Sequence, residues 1–229
     1  MRNHCAAVAV GLATLLAAAS TMCRADVIYD NVSQTSAGGD SVNPGGLVRG
    51  PLYNSFSTGT GSGFVLTDIQ LLLSTTGVPA GSTSIGIYNS NGGASPPIPG
   101  SLLATIGTVS DASLSGTASV WSVSLGSPLS LAAGTRYWVG LSTSDNANAQ
   151  WSYASSSAGT GVTGEYFSNN TGTFSTVGNG PYQMKVSVVV VPEPSLPVMA
   201  LIGLACGSVA IRRRRCAVVM AIRLGQPPA

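Results

Sequence analysis

The residue types that carry most protein chemistry are confined to the two ends of this chain. Cys5 and Cys23 lie near its start, Cys206 and Cys216 near its end, and the single histidine is His4. The long stretch between them has neither type. That removes a Cys–His or Ser–His–Asp nucleophilic centre, a histidine base, and the usual ligands of zinc, copper and haem iron, so no cofactor and no metal site is expected. It also removes any internal disulfide, although export would permit one. What remains is carboxylate, amide and aromatic chemistry. A glycosidase-type pair could be drawn from Asp68, Asp111, Asp145 and Glu165, but such a pair must stand roughly 5 to 9 Å apart across a cleft, which spacing along a chain does not establish. Strand and turn carboxylates are ordinarily solvated, so no catalytic residue is assigned and the chain is read as non-enzymatic. The run Asp145-Asn146-Ala147-Asn148 offers oxygen ligands to a hard cation such as calcium. It lacks the spacing of an EF-hand loop and reads as a turn.

Aromatic side chains are the other resource. Trp121, Trp138, Trp151, Tyr153 and Tyr166 could each offer a flat face to a sugar ring. Large aromatics in strands are more often core or cross-strand partners, and Trp138 sits in an otherwise apolar run where burial is the default. Trp151 and Tyr153, two residues apart beside the polar segment 142–148, are expected to be the exposed pair and the ligand-binding candidates.

Positioning any of these requires a scaffold, and the pattern of residues 26–191 supplies one. Short alternating runs are separated by Gly, Ser, Thr, Asn and Pro, the signature of antiparallel strands. From Phe64 to Leu73, the residues Val65, Thr67, Ile69, Leu71 and Leu73 share one face by period, with Asp68 and Gln70 on the other. Near the end, Tyr182, Met184, Val186, Val188 and Val190 alternate with Gln183, Lys185 and Ser187. Further strands are expected at Val27–Asp30, Ser84–Asn89, Leu102–Val109, Ala118–Leu125, Thr135–Ser142, Ala149–Ala154, Gly164–Ser168 and Thr173–Thr176. Turns are expected at Asn89–Gly93, Pro96-Pro97, Pro99-Gly100, Ala133-Gly134 and Asn179–Pro181. Many short strands with frequent turns predict an all-β, antiparallel β-sandwich of jelly-roll type. Between Asp26 and Val191, three cations (Arg49, Arg136, Lys185) face seven carboxylates, a net charge of minus four. A nucleic-acid binder needs a basic patch, so nucleic acid is excluded as a partner.

Both ends read as targeting segments. Arg2 and His4 precede an apolar run from Cys5 to Ala19, followed by small and polar residues to Ala25, which predicts a signal peptide over 1–25 cut by signal peptidase. A lipid-acceptor reading of Cys23 is disfavoured by Met22 before it. At the other end stand Val191-Pro192-Glu193-Pro194-Ser195, an apolar run from Leu196 to Ile211, and the cluster Arg212, Arg213, Arg214 and Arg215. Prolines keep the first segment extended. The run predicts a short transmembrane helix over 196–211, about 24 Å long at 1.5 Å per residue. The arginines hold its end in the cytoplasm.

This three-part tail, residues 192–215, resembles a PEP-CTERM sorting signal. The resemblance implies recognition by an exosortase, with cleavage near Pro192–Ser195 and delivery to the cell surface. It departs from the family in continuing from Cys216 to Ala229, an atypical extension. The exported part resembles the choice-of-anchor β domains of bacterial surface proteins, most closely type R. The matching stretches are Ser84–Asn89 with Pro99–Ala104, then Leu131–Val139, Trp151–Tyr153 and Tyr182–Val186. That class implies a fold and a location and leaves the ligand open. The expected protein is a non-catalytic exported surface or matrix protein associated with exopolysaccharide, membrane-anchored transiently or permanently through its C-terminal helix. The alternatives are a carbohydrate-active enzyme using a carboxylate pair and a plain single-span anchored carbohydrate-binding module.

Overall fold

The computed structural model describes residues 25–42, 51–61, 63–77, 81–143, 147–177 and 180–191. The signal peptide up to residue 24, the sorting motif beyond Val191, the apolar run, the arginine cluster and the extension lie outside the described residues. Among the described residues no helix is long and apolar enough to cross a membrane.

The strands are β1 (Ala25–Asp30), β2 (Ser36–Ser41), β3 (Leu52–Ser57), β4 (Phe64–Thr75), β5 (Ser82–Asn91), β6 (Ile98–Ser110), β7 (Ser119–Leu131), β8 (Arg136–Ser142), β9 (Ala149–Ala154), β10 (Tyr166–Asn169), β11 (Gly172–Ser175) and β12 (Met184–Val190). One short 3-10 turn, Asp111–Ser113, interrupts them. All pairings are antiparallel, in two six-stranded sheets. The first runs β1-β12-β4-β9-β2, with β7 on the other edge of β4; the second runs β11-β10-β3-β8-β5-β6. Leu66, Ile69, Leu71, Val186 and Val188 of the first sheet and Leu52, Phe56, Ile85, Val139 and Leu141 of the second form one buried cluster. The fold is an all-β sandwich whose core lies between the sheets.

Three expectations are corrected. Within β4, Phe64 and Leu66 point inward and Val65 and Thr67 are only half-buried, opposite to the expected phase. The reason is a bulge: Val188 pairs Leu66 and Ser187 pairs Asp68, leaving Thr67 as the extra residue. One inserted residue flips every side chain on one side of it. The Thr67 hydroxyl donates to the Ser187 carbonyl at 3.0 Å, filling a gap in the ladder. Pro99 and Gly100 do not form a turn but lie within β6, an edge strand where a missing N–H is tolerated. Gly100 lets the Asn89 side chain come close, and Asn89 Oδ1 accepts from the Ser101 N–H at 2.6 Å. Finally, β2 and β3 were not anticipated.

Where β12 begins, the chain needs surrogate partners. Asn31 Nδ2 donates to the Tyr182 carbonyl (3.1 Å), the Met184 N–H donates to Asn31 Oδ1 (2.8 Å), and the Tyr182 N–H donates to Asn54 Oδ1 of β3 (3.1 Å). Two buried asparagines thus do what a neighbouring strand would do, and they fix Tyr182 between the sheets.

Candidate functional site

Trp151 is not an exposed platform. Its indole is fully buried, stacked on Tyr182 with centroids 4.9 Å apart and planes at 17°, and its Nε1–H donates to the Gln183 carbonyl at 2.9 Å. The polar segment beside β9 does not open that strand, because β9 is paired on both sides, through Leu73 of β4 and through Asp40 of β2. Tyr153, on the same face of β9, is half-buried.

Tyr153 borders a cleft of about 270 Å³ lined by Asp40, Tyr153, Phe167, Asn169, Phe174, Gly180 and Tyr182. It lies where the β2–β9 side of one sheet parts from the β10–β11 hairpin of the other. A chain of rings leads to it from the core. Trp151 stacks on Tyr182, Tyr182 meets Phe167 edge to face (5.6 Å, 80°), and Phe167 stacks on its cross-strand partner Phe174 (5.4 Å, 28°). These separations are those of favourable aromatic pairs. The Tyr182 hydroxyl donates to Asp40 Oδ2 at 2.7 Å, and Asn169 Nδ2 approaches the same hydroxyl at 3.5 Å. Asn169 Oδ1 accepts from the Thr171 N–H (2.9 Å) and hydroxyl (2.5 Å), which orients its amide.

Two glycines make room for Tyr153. A Cβ on Gly38 would stand 2.5 Å from the Tyr153 hydroxyl, and one on Gly180 would stand 1.8 Å from the Ala154 carbonyl oxygen. Gly180 therefore lets the segment before β12 press on β9, where the Ala154 N–H donates to the Pro181 carbonyl at 2.8 Å. The ring of Tyr153 packs on the core cluster and lies close to glycine backbone at Gly38 and Gly180.

The carboxylates singled out for acid–base chemistry lie elsewhere. Glu165, 4 % exposed, accepts from the Ser55 hydroxyl and from Arg136 Nε at 3.0 Å, while Arg136 lies over the Tyr166 ring. Asp111, fully buried, accepts from the backbone N–H groups of Gly81 (3.2 Å) and Asn148 (2.6 Å), tying two loops together. Asp68 sits in mid-β4 opposite Ser187 and Ser124. Of the candidate calcium run, Asp145 and Asn146 lie outside the described residues, Ala147 is buried, and the Asn148 N–H is the one that donates to Asp111. Among the described residues no three or more His, Cys, Asp or Glu side chains gather as a metal site would. The carboxylate in the cleft is Asp40, which sequence reading did not single out. Nor did it single out Phe167, Asn169, Phe174 or Tyr182. The one local signal was the pair of aromatics flanking the Asn169–Gly172 turn.

Burial shifts two phenols. It pushes Tyr29 well above its ordinary value, with a nearby Asn54 contact offsetting part and the Glu165 charge adding to it. It pushes Tyr53 up to about 12, reinforced by Tyr88, which meets it edge to face at 5.2 Å. No protein-family model matches the chain, and no curated protein matches it.

Proposed function

We propose that this chain is a non-catalytic exported surface protein with a jelly-roll body, delivered by a signal peptide and sorted by an exosortase, that works in contact with exopolysaccharide. The path β1-β12-β4-β7 over β3-β8-β5-β6, whose eight strands in chain order change sheet at every step but the β5–β6 hairpin, supports the jelly-roll assignment. The observation that carries the functional reading is the position of the cleft along β12. Tyr182 precedes that strand and the chain leaves it at Val191, so roughly 20 Å of strand separates cleft from exit at about 3.3 Å per residue. The first strand supports the same polarity: Ala25 pairs Val189, so the body is entered and left at one end.

Mass spectrometry of the protein from intact cells tests the sorting. A mature N-terminus at Asp26 and a C-terminus near Ser195 are expected. An intact Ala229 would replace exosortase processing by a plain membrane anchor, and recovery of the body from the cytosol would end the surface reading.

A further inference from the structure

We propose that the cleft between the β2–β9 edge and the β10–β11 hairpin is a saccharide subsite that seats one uncharged pyranose ring, with Tyr153 and Phe174 as its apolar walls and Asp40 and Asn169 as its polar contacts. The inference rests on the exopolysaccharide reading above and names the site for it.

The chemistry of the lining selects the ligand class. A pyranose has two apolar C–H faces and a rim of hydroxyls that both donate and accept, so it needs flat apolar walls and planar polar groups at their edge. Tyr153 and Phe174, both half-buried, supply the first. A carboxylate and an amide supply the second, since a carboxylate accepts at two oxygens and an amide both donates and accepts. About 270 Å³ suits one ring of a chain and not a long stretch of polymer. Among the described residues the lining holds no cation, and residues 26–191 carry a net charge of minus four, so a uronate or sulfated sugar would be repelled. A quaternary ammonium cage, the other use of clustered rings, needs several faces turned toward one centre. Here the rings of Tyr182 and Phe167 are occupied with Trp151, Phe174 and each other, which leaves a two-walled slot. The walls are fixed before the ligand arrives. Asn31 and Asn54 hold the Tyr182 backbone, and Gly38 and Gly180 hold β2 and the pre-β12 segment against Tyr153. Little side-chain freedom is then lost on binding.

Affinity electrophoresis of the full-length protein tests this, with amylose, a β-1,3-glucan and a galactomannan as neutral probes and alginate as the anionic one. The wild type should be retarded by at least one neutral polymer and not by alginate. Phe174→Ala and Asp40→Asn should weaken that retardation about tenfold or more, the loss expected of a central contact, with thermal midpoints near the wild type. Asp40→Asn, isosteric and still able to accept from Tyr182, guards against misfolding as the cause. Val120→Ser, on the exposed face of β7, should bind as the wild type does. Equal retardation of wild type and both cleft variants would overturn the subsite and leave the exopolysaccharide reading standing. No retardation by any polymer would overturn both. Preference for alginate, or displacement by tetramethylammonium but not by methyl glucoside, would overturn the assignment of an uncharged pyranose.

Discussion

Replacing Trp151 by alanine separates a buried keystone from a surface platform. The side chain has no solvent exposure, stacks on Tyr182 and donates through Nε1 to the Gln183 carbonyl. Truncating a buried tryptophan costs about 3–5 kcal/mol through lost transfer energy and the cavity left behind. The lost hydrogen bond adds about 1 kcal/mol at most, because the Gln183 carbonyl still accepts from the Leu72 N–H at 3.1 Å. A loss of about 4 kcal/mol in a body of this size lowers Tm by about 8–16 °C. Trp151→Phe keeps a stacked ring and loses the donor and some volume, so it should cost about 1–2 kcal/mol. Urea unfolding followed by far-UV circular dichroism reads both without relying on the indole that has been removed. A Trp151→Ala variant within about 1 kcal/mol of the wild type would mean that the indole faces water, and the assignment of this face of β9 to the core would then be wrong.

Four further outcomes follow from the same geometry. Gly180→Ala must push its Cβ off the Ala154 carbonyl oxygen, 1.8 Å away, and break the Ala154–Pro181 bond, so it should lower stability by about 1–3 kcal/mol in urea. Arg136→Met leaves the 5 %-exposed Glu165 side chain with Ser55 alone; Arg136 itself is 27 % exposed, so the loss should be about 1–3 kcal/mol at pH 7, below that of a fully buried pair. The stability that Tyr29 and Tyr53 contribute should be constant below about pH 10 and fall above it, because the unfolded chain then releases phenolic protons that the folded tyrosines keep. The fall attributed to Tyr53 ends near its raised value of about 12, and Tyr29→Phe should remove up to one proton, about 1.4 kcal/mol per pH unit, from the slope of alkaline unfolding. Deleting Thr67 should cost only about 1 kcal/mol, the worth of its bond to Ser187, because Phe64, Leu66, Ile69 and Leu71 then alternate without a bulge, whereas deleting Ile69 brings Gln70 into the core and should prevent folding. Soluble yield and circular dichroism distinguish the two deletions.

What the sequence disclosed depended on whether the signal was local. In β12, Met184, Val186 and Val188 alternate with Lys185 and Ser187 and are buried as their period implies. In β4 the strand was legible and half its phase was not, since nothing in Val65-Leu66-Thr67-Asp68 announces which residue the neighbouring strands will skip. β2, Ser-Ala-Gly-Gly-Asp-Ser, has no apolar face at all; it is a strand because β9 offers it an edge, and Gly38 lets Tyr153 lie close. β3 hides its period because Asn54 and Ser55 are buried for their hydrogen bonds to Tyr182, Tyr166 and Glu165. The cleft was illegible for a related reason. Asp40, Tyr153, Asn169 and Tyr182 come from separate segments, and their meeting is a property of how the sheets part at one end. The error on Trp151 arose from reading exposure off a neighbouring polar loop, when what buries the indole is that its face of β9 meets Tyr182 in the core.

The pairing of the first and last strands bears on how such a body withstands being tethered. A tail continuing from Val191 hangs from β12, and β12 is an internal strand, bonded to β1 on one side and to β4 on the other. A pull along β12 therefore loads two ladders at once in shear, where a tail leaving from an edge strand such as β6 would peel one ladder bond by bond. The β1 ladder depends on the chain being cut in the right place. Under the proposed signal-peptide cleavage after Ala25, Asp26 would stay opposite Val188 and the fully buried Tyr29 opposite Val186, so the strand would be intact once the leader is gone. Cleavage a few residues later would take away Val27 and the approach to Tyr29, expose one edge of β12, and turn a shear-loaded anchor into an edge that unzips. Removing residues up to Tyr29 should accordingly lower the force at which a molecule held at its C-terminus unfolds by more than it lowers Tm. Equal proportional losses would show that β1 contributes only burial and that the order of the strands has no mechanical consequence.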